Sequence, residues 1–139
     1  MYNIMTDMNS EGKTILIIDD DKFLLDMYVV KFKEKGFKVH AALGSIEALE
    51  ILQGEFNPVA VLLDLVMPAM DGFELLQKIK TENLAPEAKC IILSNLGQDS
   101  DKEKGKELGA DGYVVKASAT PSEVVEYVSE ILVNGGGIE

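Results

Sequence analysis

Four short apolar runs in the sequence each end in a polar side chain that can take part in chemistry. In chain order these polar ends are Asp19 with Asp20, Asp64, Ser94 and Lys116. If the runs are parallel strands of one sheet, their carboxyl ends meet at one edge, where ligands of such sheets bind. That edge would hold three carboxylates, a hydroxyl and an ammonium group. Such a cluster suits a divalent cation together with a phosphoryl group.

The residue types at this edge fit phosphoryl transfer. Magnesium prefers oxygen ligands, and Asp19, Asp20 and Asp64 supply carboxylates for it. Asp64 stands alone at the end of its run, so it is the best candidate for a nucleophile that forms an aspartyl phosphate. Ser94 can donate a hydrogen bond to a phosphoryl oxygen, and Lys116 brings a positive charge. In-line phosphoryl transfer needs mainly such positioning and charge neutralisation.

The composition sets limits on the class of protein. A chain of 139 residues with 47% hydrophobic residues favours a single domain with one core. Its 24 acidic and 13 basic residues give a net charge of -11. This balance argues against direct nucleic-acid binding, which requires basic clusters, and it is compatible with a cation site.

Cysteine usage and hydropathy indicate where the protein works. Cys90 is the single cysteine, so no internal disulfide forms, and its apolar surroundings predict a buried structural thiol. Residues 1–12 show no secretory signal, and no apolar run approaches the length that spans a bilayer. We therefore expect a cytoplasmic protein without membrane insertion.

Strand-like and helix-like segments alternate along the chain. The predicted strands cover about 14–19, 37–42, 59–64, 89–94 and 112–116, and the predicted helices cover about 21–35, 45–53, 72–82, 99–108 and 121–134. The first, third and fourth strands are apolar nearly throughout, which is typical of parallel strands covered on both faces. The pattern predicts a doubly wound α/β fold.

Local signals mark several helix ends and faces. Asp20 or Asp21 is placed to cap the first helix, and Thr120 opens a capping box for the last. Helical spacing predicts that Ile46 points inward from the second helix. The helix over 99–108 has few apolar anchors, so we expect it to be weakly packed.

With these motifs in order and at matching spacing, the sequence resembles the receiver domains of response regulators in two-component signalling. The resemblance covers residues 13–134, and the remainder is a flexible lead at 1–12 and a flexible tail at 135–139. The matching segments are 15–20, 63–72, 92–94 and 113–116. The resemblance implies a flavodoxin-like, five-stranded parallel sheet in the order 2-1-3-4-5, with helices on both faces.

The resemblance also implies a role for each site residue. Asp64 would accept a phosphoryl group from the phosphohistidine of a kinase or phosphotransfer protein. Mg²⁺ would be bound by Asp19, Asp20, Asp64 and the backbone carbonyl of Val66. Ser94 and Lys116 would contact the phosphoryl group, and Tyr113 matches the switch aromatic, whose ring turns inward as the Ser94 hydroxyl moves.

Some of these residues also fit purely structural roles. The acidic run at 19–21 is also suited to capping the first helix, since acids are favoured at helix starts. Tyr113 also fits an ordinary edge-strand aromatic, because aromatic residues are common in strands.

The sequence departs from the family pattern around the site. Ala117 follows Lys116 where the family usually has proline, and Asn95 follows Ser94 where alanine or glycine is commoner. Val66 and Leu96 are apolar and cannot hydrogen-bond an attacking water. We therefore expect slow self-dephosphorylation, and no enzymatic activity beyond self-phosphorylation and self-dephosphorylation.

The expected output is a change in binding to a downstream protein effector. It would act through the fourth and fifth helices and the strand between them, either in a stand-alone protein like the chemotaxis regulators or in a receiver excised from a longer chain. One alternative is a pseudo-receiver that binds partners without phosphorylation. Another is a phosphatase of the haloacid-dehalogenase kind, but Val66 occupies the place of its general acid.

Overall fold

Five strands pair in parallel to form one sheet in this computed structural model, which describes residues 12–138. Apart from Gly12, the predicted flexible lead at 1–12 lies outside the described residues. The strands are β1 (Thr14–Ile18), β2 (Lys38–Ala42), β3 (Ala60–Leu63), β4 (Lys89–Ser94) and β5 (Gly112–Val115). Their order is β2-β1-β3-β4-β5, which confirms the predicted order.

Five α-helices connect and flank the strands. They are α1 (Lys22–Glu34), α2 (Ser45–Leu52), α3 (Gly72–Thr81), α4 (Asp99–Glu107) and α5 (Pro121–Asn134), and a short 3₁₀ turn spans Lys116–Ser118. α1 and α5 cover one face of the sheet, and α2 and α3 cover the other. The predicted doubly wound α/β fold is confirmed. Among the described residues, no helix is both long and apolar enough to cross a membrane.

The central strands are buried because both faces of the sheet are covered. In β1, Ile15 and Ile17 pack into the layer with α1 and α5, whereas Leu16 and Ile18 pack into the layer with α2 and α3. Successive side chains of a strand point to opposite faces, so a strand buried on both sides must be apolar throughout. This explains why the apolar runs predicted the strands well.

Two neighbouring aspartates at the start of α1 differ in their surroundings. The Asp21 carboxylate accepts from the Leu24 N–H at 3.2 Å and caps α1. Asp20 does not cap the helix and is exposed at the sheet edge. At the other end of the chain, Thr120 and Glu123 form the predicted capping box of α5, with bonds of 3.1 and 2.8 Å.

The inward placement predicted for Ile46 is wrong. Its side chain is 54% exposed. The buried stripe of α2 consists of Ser45, Ala48, Leu49 and Leu52, and this i, i+3, i+4, i+7 spacing defines one helix face. Ile46 lies one residue off that stripe and so points toward solvent.

Helix α4 packs through a single small residue. Gly105 is its only buried residue. A Cβ at this position would lie 2.7 Å from the Ile92 Cδ1 atom and 3.6 Å from the Tyr113 ring. Beside it, the Lys104 ammonium lies 4.6 Å from the centre of the Phe73 ring on α3. The helix therefore approaches the sheet closely but buries little apolar side chain.

Residues 135–138, within the segment predicted as a flexible tail, lie against the start of β5. The chain turns at Gly135, which has φ +82°. The Gly137 N–H then donates to the Asp111 carbonyl at 2.7 Å. Ile138, like Leu108 and Tyr113, packs against the apolar layer beneath α2 and α3.

Candidate functional site

The carboxyl edge of the sheet forms a cavity of about 280 Å³ that contains the polar strand ends. Its lining residues are Asp19, Asp20, Asp21, Leu24, Asp64, Val66, Ser94, Asn95, Leu96 and Lys116. Each polar residue follows or ends a strand, so the parallel pairing brings them together although they are far apart in the sequence. Of the predicted site residues, Tyr113 alone lies outside this lining.

Lys116 joins two of the carboxylates. Its Nζ atom lies 2.6 Å from Asp19 Oδ2 and 2.9 Å from Asp64 Oδ2, and its side chain is only 7% exposed. Ser94 and Val115 are paired in the sheet and end β4 and β5. Lys116 is therefore the first residue beyond the edge, which is where its side chain can cross to the other strand ends.

Burial and charge act in opposite directions on this ion pair. Burial raises the pKa of the Asp19 carboxyl, and the hydrogen bond from Lys116 only partly offsets this. Burial would lower the pKa of the Lys116 ammonium, but the hydrogen bonds to Asp19 and Asp64 outweigh it, so that pKa is raised. The ammonium group is therefore held in its charged form between the two carboxylates.

Backbone contacts fix the position of Asp64. Its Oδ1 atom accepts from the Leu65 N–H at 2.7 Å. The Gly72 N–H donates to the Leu65 carbonyl at 2.9 Å, and a Cβ on Gly72 would lie 2.1 Å from the Asp64 carbonyl oxygen. The Ser45 hydroxyl donates to the Met70 carbonyl at 2.7 Å and anchors the same loop. Only glycine fits at position 72. From the sequence, Gly72 indicated a loop but not this close approach to Asp64.

Three carboxylates at the edge form a donor set that fits a magnesium ion. One oxygen each from Asp19, Asp20 and Asp64 lies within 4.8 Å of the other two. Asp20 is exposed, and Asp19 Oδ1 is oriented by the Asp21 N–H at 2.9 Å. Hard oxygen ligands with room for water are what Mg²⁺ requires. Val66 also lines the cavity.

The backbone of a single residue, Leu96, connects Ser94 with Tyr113. The Leu96 N–H donates to the Ser94 hydroxyl oxygen at 3.3 Å, and the Leu96 carbonyl accepts from the Tyr113 hydroxyl. Burial, with smaller contributions from Asp101 and Asp64, raises the pKa of Tyr113 to about 12, so its hydroxyl stays protonated and able to donate. Sequence reasoning paired Ser94 with Tyr113 but missed the link through the Leu96 backbone, because residue types do not reveal backbone contacts.

The mouth of the cavity is apolar next to the charged centre. Val66 is 60% exposed and Leu96 is 39% exposed. Neither side chain can hold a water molecule near Asp64. After Lys116, the chain continues through the 3₁₀ turn Lys116–Ser118, and none of the peptide bonds in residues 12–138 is cis. Ala117 therefore continues a trans backbone at the place where the family commonly has proline.

Comparison with known proteins identifies one family over most of the chain. Residues 15–129 match the family described as response regulator receiver domain. A solved CheY-like receiver domain from Methanospirillum hungatei superimposes with a TM-score of 0.80 at 30% identity, covering 90% of this chain and 97% of that one.

Curated relatives are of two sizes. The chemotaxis protein CheY of Halobacterium salinarum is 32% identical, covering 87% of this chain and 98% of the relative. The transcriptional regulator RpaA of Synechocystis is also 32% identical, but the match covers 84% of this chain and only 46% of that protein. The chain thus spans about half the length of several curated relatives that it matches. With its fold, its carboxyl-edge cavity and this match together, the chain belongs to the response regulator receiver domain family of two-component signalling.

Proposed function

We propose that the protein is a phosphorylation switch that accepts a phosphoryl group on Asp64 from the phosphohistidine of a histidine kinase or phosphotransfer protein. Receiver domains are signalling modules rather than classical enzymes. We propose no catalysis beyond self-phosphorylation and self-dephosphorylation. We also propose that the protein acts in the cytoplasm. The observation that carries the proposal is the Lys116 ammonium, held 2.6 Å from Asp19 and 2.9 Å from Asp64 inside one cavity.

The transfer needs positioning and charge neutralisation from this chain. An oxygen of Asp64 bonds to phosphorus as the phosphorus–nitrogen bond of the donor breaks, and the histidine leaves with the electron pair. Lys116 offsets the charge of the phosphoryl oxygens, and the Ser94 hydroxyl donates to one of them. Bound Mg²⁺ would supply further positive charge to the same oxygens. Asp19, Asp20, Asp64 and the Val66 carbonyl are the groups that would hold it.

The backbone of Leu96 offers a path from the phosphoryl group to the surface. When the Ser94 hydroxyl turns to a phosphoryl oxygen, it gives up the Leu96 N–H, and the carbonyl of the same residue accepts the bond from Tyr113. Phosphorylation adds about -1.5 to -2 charges. Reversing a 1:99 population requires about 5.5 kcal/mol. We propose that the Ser94 and Lys116 contacts supply much of it and change binding of a protein effector at the surface formed by α4, β5 and α5.

Exposed apolar side chains around the cavity support a protein as phosphoryl donor. Five large ones follow the carboxyl ends of the strands: Phe23, Leu43, Ile46, Val66 and Leu96, with exposures from 39% to 74%. Apolar surface gathered at one end of a molecule marks a contact site for another protein. Phosphoryl transfer from a small anion would need no such surface, whereas docking of a phosphorylated protein would bury it.

Val66 and Leu96 support a long-lived phosphoryl group. Both are exposed at the cavity mouth and both lack polar side-chain atoms, so neither orients a water for attack on phosphorus. We expect Val66→Asn to shorten the lifetime of the phosphorylated protein, measured by loss of the adduct after the donor is removed. A short lifetime in the wild type that Val66→Asn leaves unchanged would contradict this assignment.

The proposal is tested by incubating the protein with acetyl phosphate and Mg²⁺ and measuring its intact mass. The wild type should gain one phosphoryl group, and Asp64→Asn should gain none. Asp71→Asn is the matched control: Asp71 caps α3 by accepting from the Glu74 N–H at 2.9 Å, lies outside the cavity lining, and asparagine caps equally well. Absence of an adduct on the wild type with any donor would favour the pseudo-receiver, and an adduct on Asp64→Asn would reassign the acceptor.

A further inference from the structure

The segment Gly135–Ile138 lies beside the surface formed by α4, β5 and α5. It leaves the end of α5 at Gly135, bonds to Asp111 just before β5, and lines one cavity together with Lys102 of α4. We propose that this segment, called the strap below, is an internal occupant of that surface and braces the switch against rearrangement.

Glycine residues let the strap reach its seat. Gly135 has φ +82°, a conformation that residues with side chains rarely adopt. A Cβ on Gly136 would lie 2.3 Å from the Asp111 carbonyl oxygen and 2.9 Å from the Asp111 Cβ atom. At Gly137, by contrast, no atom lies within 4 Å of an added Cβ. The backbone of Gly136 is thus packed directly on Asp111, and its neighbour is open.

Asp111 connects the strap rigidly to the sheet. Its N–H donates to the Cys90 carbonyl at 2.7 Å, and its carboxylate accepts from the Cys90 N–H at 2.9 Å. Its carbonyl accepts from the Gly137 N–H at 2.7 Å. One residue therefore uses its N–H and carboxylate to hold β4 and its carbonyl to hold the strap.

The strap shares a cavity with the switch aromatic. A space of about 510 Å³ opens between it, Lys102, Tyr113, Tyr127 and Glu130. The Tyr127 hydroxyl accepts from the Tyr113 N–H at 3.2 Å, so the edge strand is covered by a side chain of α5 and, next to it, by the strap. Any rearrangement of Tyr113 or α4 changes the walls of this cavity.

The strap is held weakly enough to be displaced. Among the described residues, the Gly135 N–H donates to the Ile131 carbonyl at the end of α5, and the Gly137 bond is the strap's one hydrogen bond to a residue outside that helix. Ile138 is only partly buried. A hydrogen bond in a folded protein shifts an equilibrium by about 2- to 10-fold. The strap therefore shifts the switch by a factor of that size and yields to a tighter partner on the same surface.

Displacing the strap should make phosphorylation easier, because the movement of Ser94 and Tyr113 no longer works against the brace. This consequence rests on the proposed function, whereas the seat on Asp111 does not. The two are measured separately in the intact 139-residue chain. Amide hydrogen exchange at residue 137 reports the seat, and the rate of adduct formation with acetyl phosphate and Mg²⁺ reports the switch.

Gly136→Ala and Gly137→Ala form a matched pair. Gly136→Ala should lower the protection of the residue 137 amide by about 2- to 10-fold and raise the phosphorylation rate by a similar factor. Gly137→Ala should match the wild type in both measurements. A chain that ends at Gly135 should be phosphorylated as fast as Gly136→Ala.

Two results would overturn the strap. Unchanged protection in Gly136→Ala would show that the segment is not seated on Asp111. Lost protection with an unchanged phosphorylation rate would show that the seat does not brace the switch. If no variant and no wild-type protein takes up a phosphoryl group, the proposed function fails and the bracing role falls with it, while the exchange data still decide the seat.

Discussion

The loop after β3 and helix α4 lie on the same side of one sheet but are held in opposite ways. At the loop, backbone meets backbone: a Cβ on Gly72 would lie 2.1 Å from the Asp64 carbonyl oxygen. At α4, backbone meets the tip of a side chain: a Cβ on Gly105 would lie 2.7 Å from the Ile92 Cδ1 atom. Backbone atoms next to a buried strand give way less easily than a side-chain tip. The proposed phosphorylation site is therefore held more rigidly than the helix beside it.

The largest effect should come from Gly72→Ala. The added methyl group forces the backbone of Asp64 and Leu65 apart, so we expect a loss of about 3 kcal/mol in the free energy of unfolding, at the upper end of overpacking costs. The phosphorylation rate should fall with it, because Asp64 moves. Urea denaturation and intact mass measure the two effects.

Gly54→Ala is the control for this substitution. The nearest atom to its added Cβ is the Ile51 carbonyl oxygen at 3.5 Å, an ordinary contact. It should cost well under about 1 kcal/mol. Equal losses of unfolding free energy in the two variants would show that the loop after β3 is no more rigidly held than an ordinary surface position.

Lys116→Met should have the second largest effect. It leaves the buried carboxylates of Asp19 and Asp64 without their cation, a change that costs about 3 to 5 kcal/mol in a closed interior. Because the cavity opens to solvent, we expect about 1 to 3 kcal/mol, measured by urea denaturation at neutral pH. Lys22→Met, which removes an exposed pair with Asp26, should cost less than about 0.5 kcal/mol. Similar values would mean that the site ion pair is no better fixed than a surface pair.

The pKa of the Cys90 thiol tests how well the apolar layer around β4 excludes water. Burial raises the pKa of its thiol from 9.0 to about 11. Its contribution to stability is complete below the unfolded pKa and is lost as the pH rises through the folded pKa. At about pH 10 this loss is about 1 kcal/mol. Comparing the pH dependence of unfolding in the wild type and Cys90→Ala isolates it, and identical slopes above pH 9 would contradict the burial of an un-ionised thiol.

Lys104→Ala tests one of the few contacts that hold α4. It removes the ammonium group 4.6 Å from the Phe73 ring, a contact worth about 0.5 to 1 kcal/mol at an exposed site. Lys106→Ala on the same helix is the control and should be close to neutral. If both variants unfold at the same urea concentration, the cation–π contact does not anchor α4.

Gly105→Ala should change stability least. Alanine favours the helix by about 1 kcal/mol over glycine, and the displacement of the Ile92 side-chain tip offsets that gain. We expect a net change below about 1 kcal/mol, together with chemical-shift changes confined to α4, Ile92 and Tyr113. A loss as large as that of Gly72→Ala would show that α4 is as firmly fixed as the site.

Local patterns predicted the elements and the strand ends because both depend on neighbours in sequence. The apolar runs of β1 and β3 and the caps at Asp21 and Thr120 are of this kind. The prediction for Ile46 failed because the buried stripe of α2 is completed by two small residues, Ser45 and Ala48. A pattern based on large apolar side chains overlooks them.

The contacts that sequence reasoning missed join residues distant in sequence through backbone atoms. Gly72 packs on Asp64, and Gly136 packs on Asp111. The backbone N–H and carbonyl of Leu96 join Ser94 and Tyr113. In each case the residue type allows the contact but does not predict it. Only the folded structure shows which carbonyl or N–H group lies nearby. Sequence thus predicted which side chains meet at the site but not what holds or connects them.

The pairing of Ser94 with Val115 has a consequence for how the chain tolerates insertions and deletions. The reach of Lys116 is set by strand register and not by the number of residues between β4 and β5. Lengthening the connection around α4 should therefore leave the ammonium where it is, since long surface loops cost little. Deleting one residue inside β5 would turn every following side chain to the other face. Insertions or deletions in the connection should therefore preserve the position of the Lys116 side chain. A deletion within the four residues of β5 should displace it.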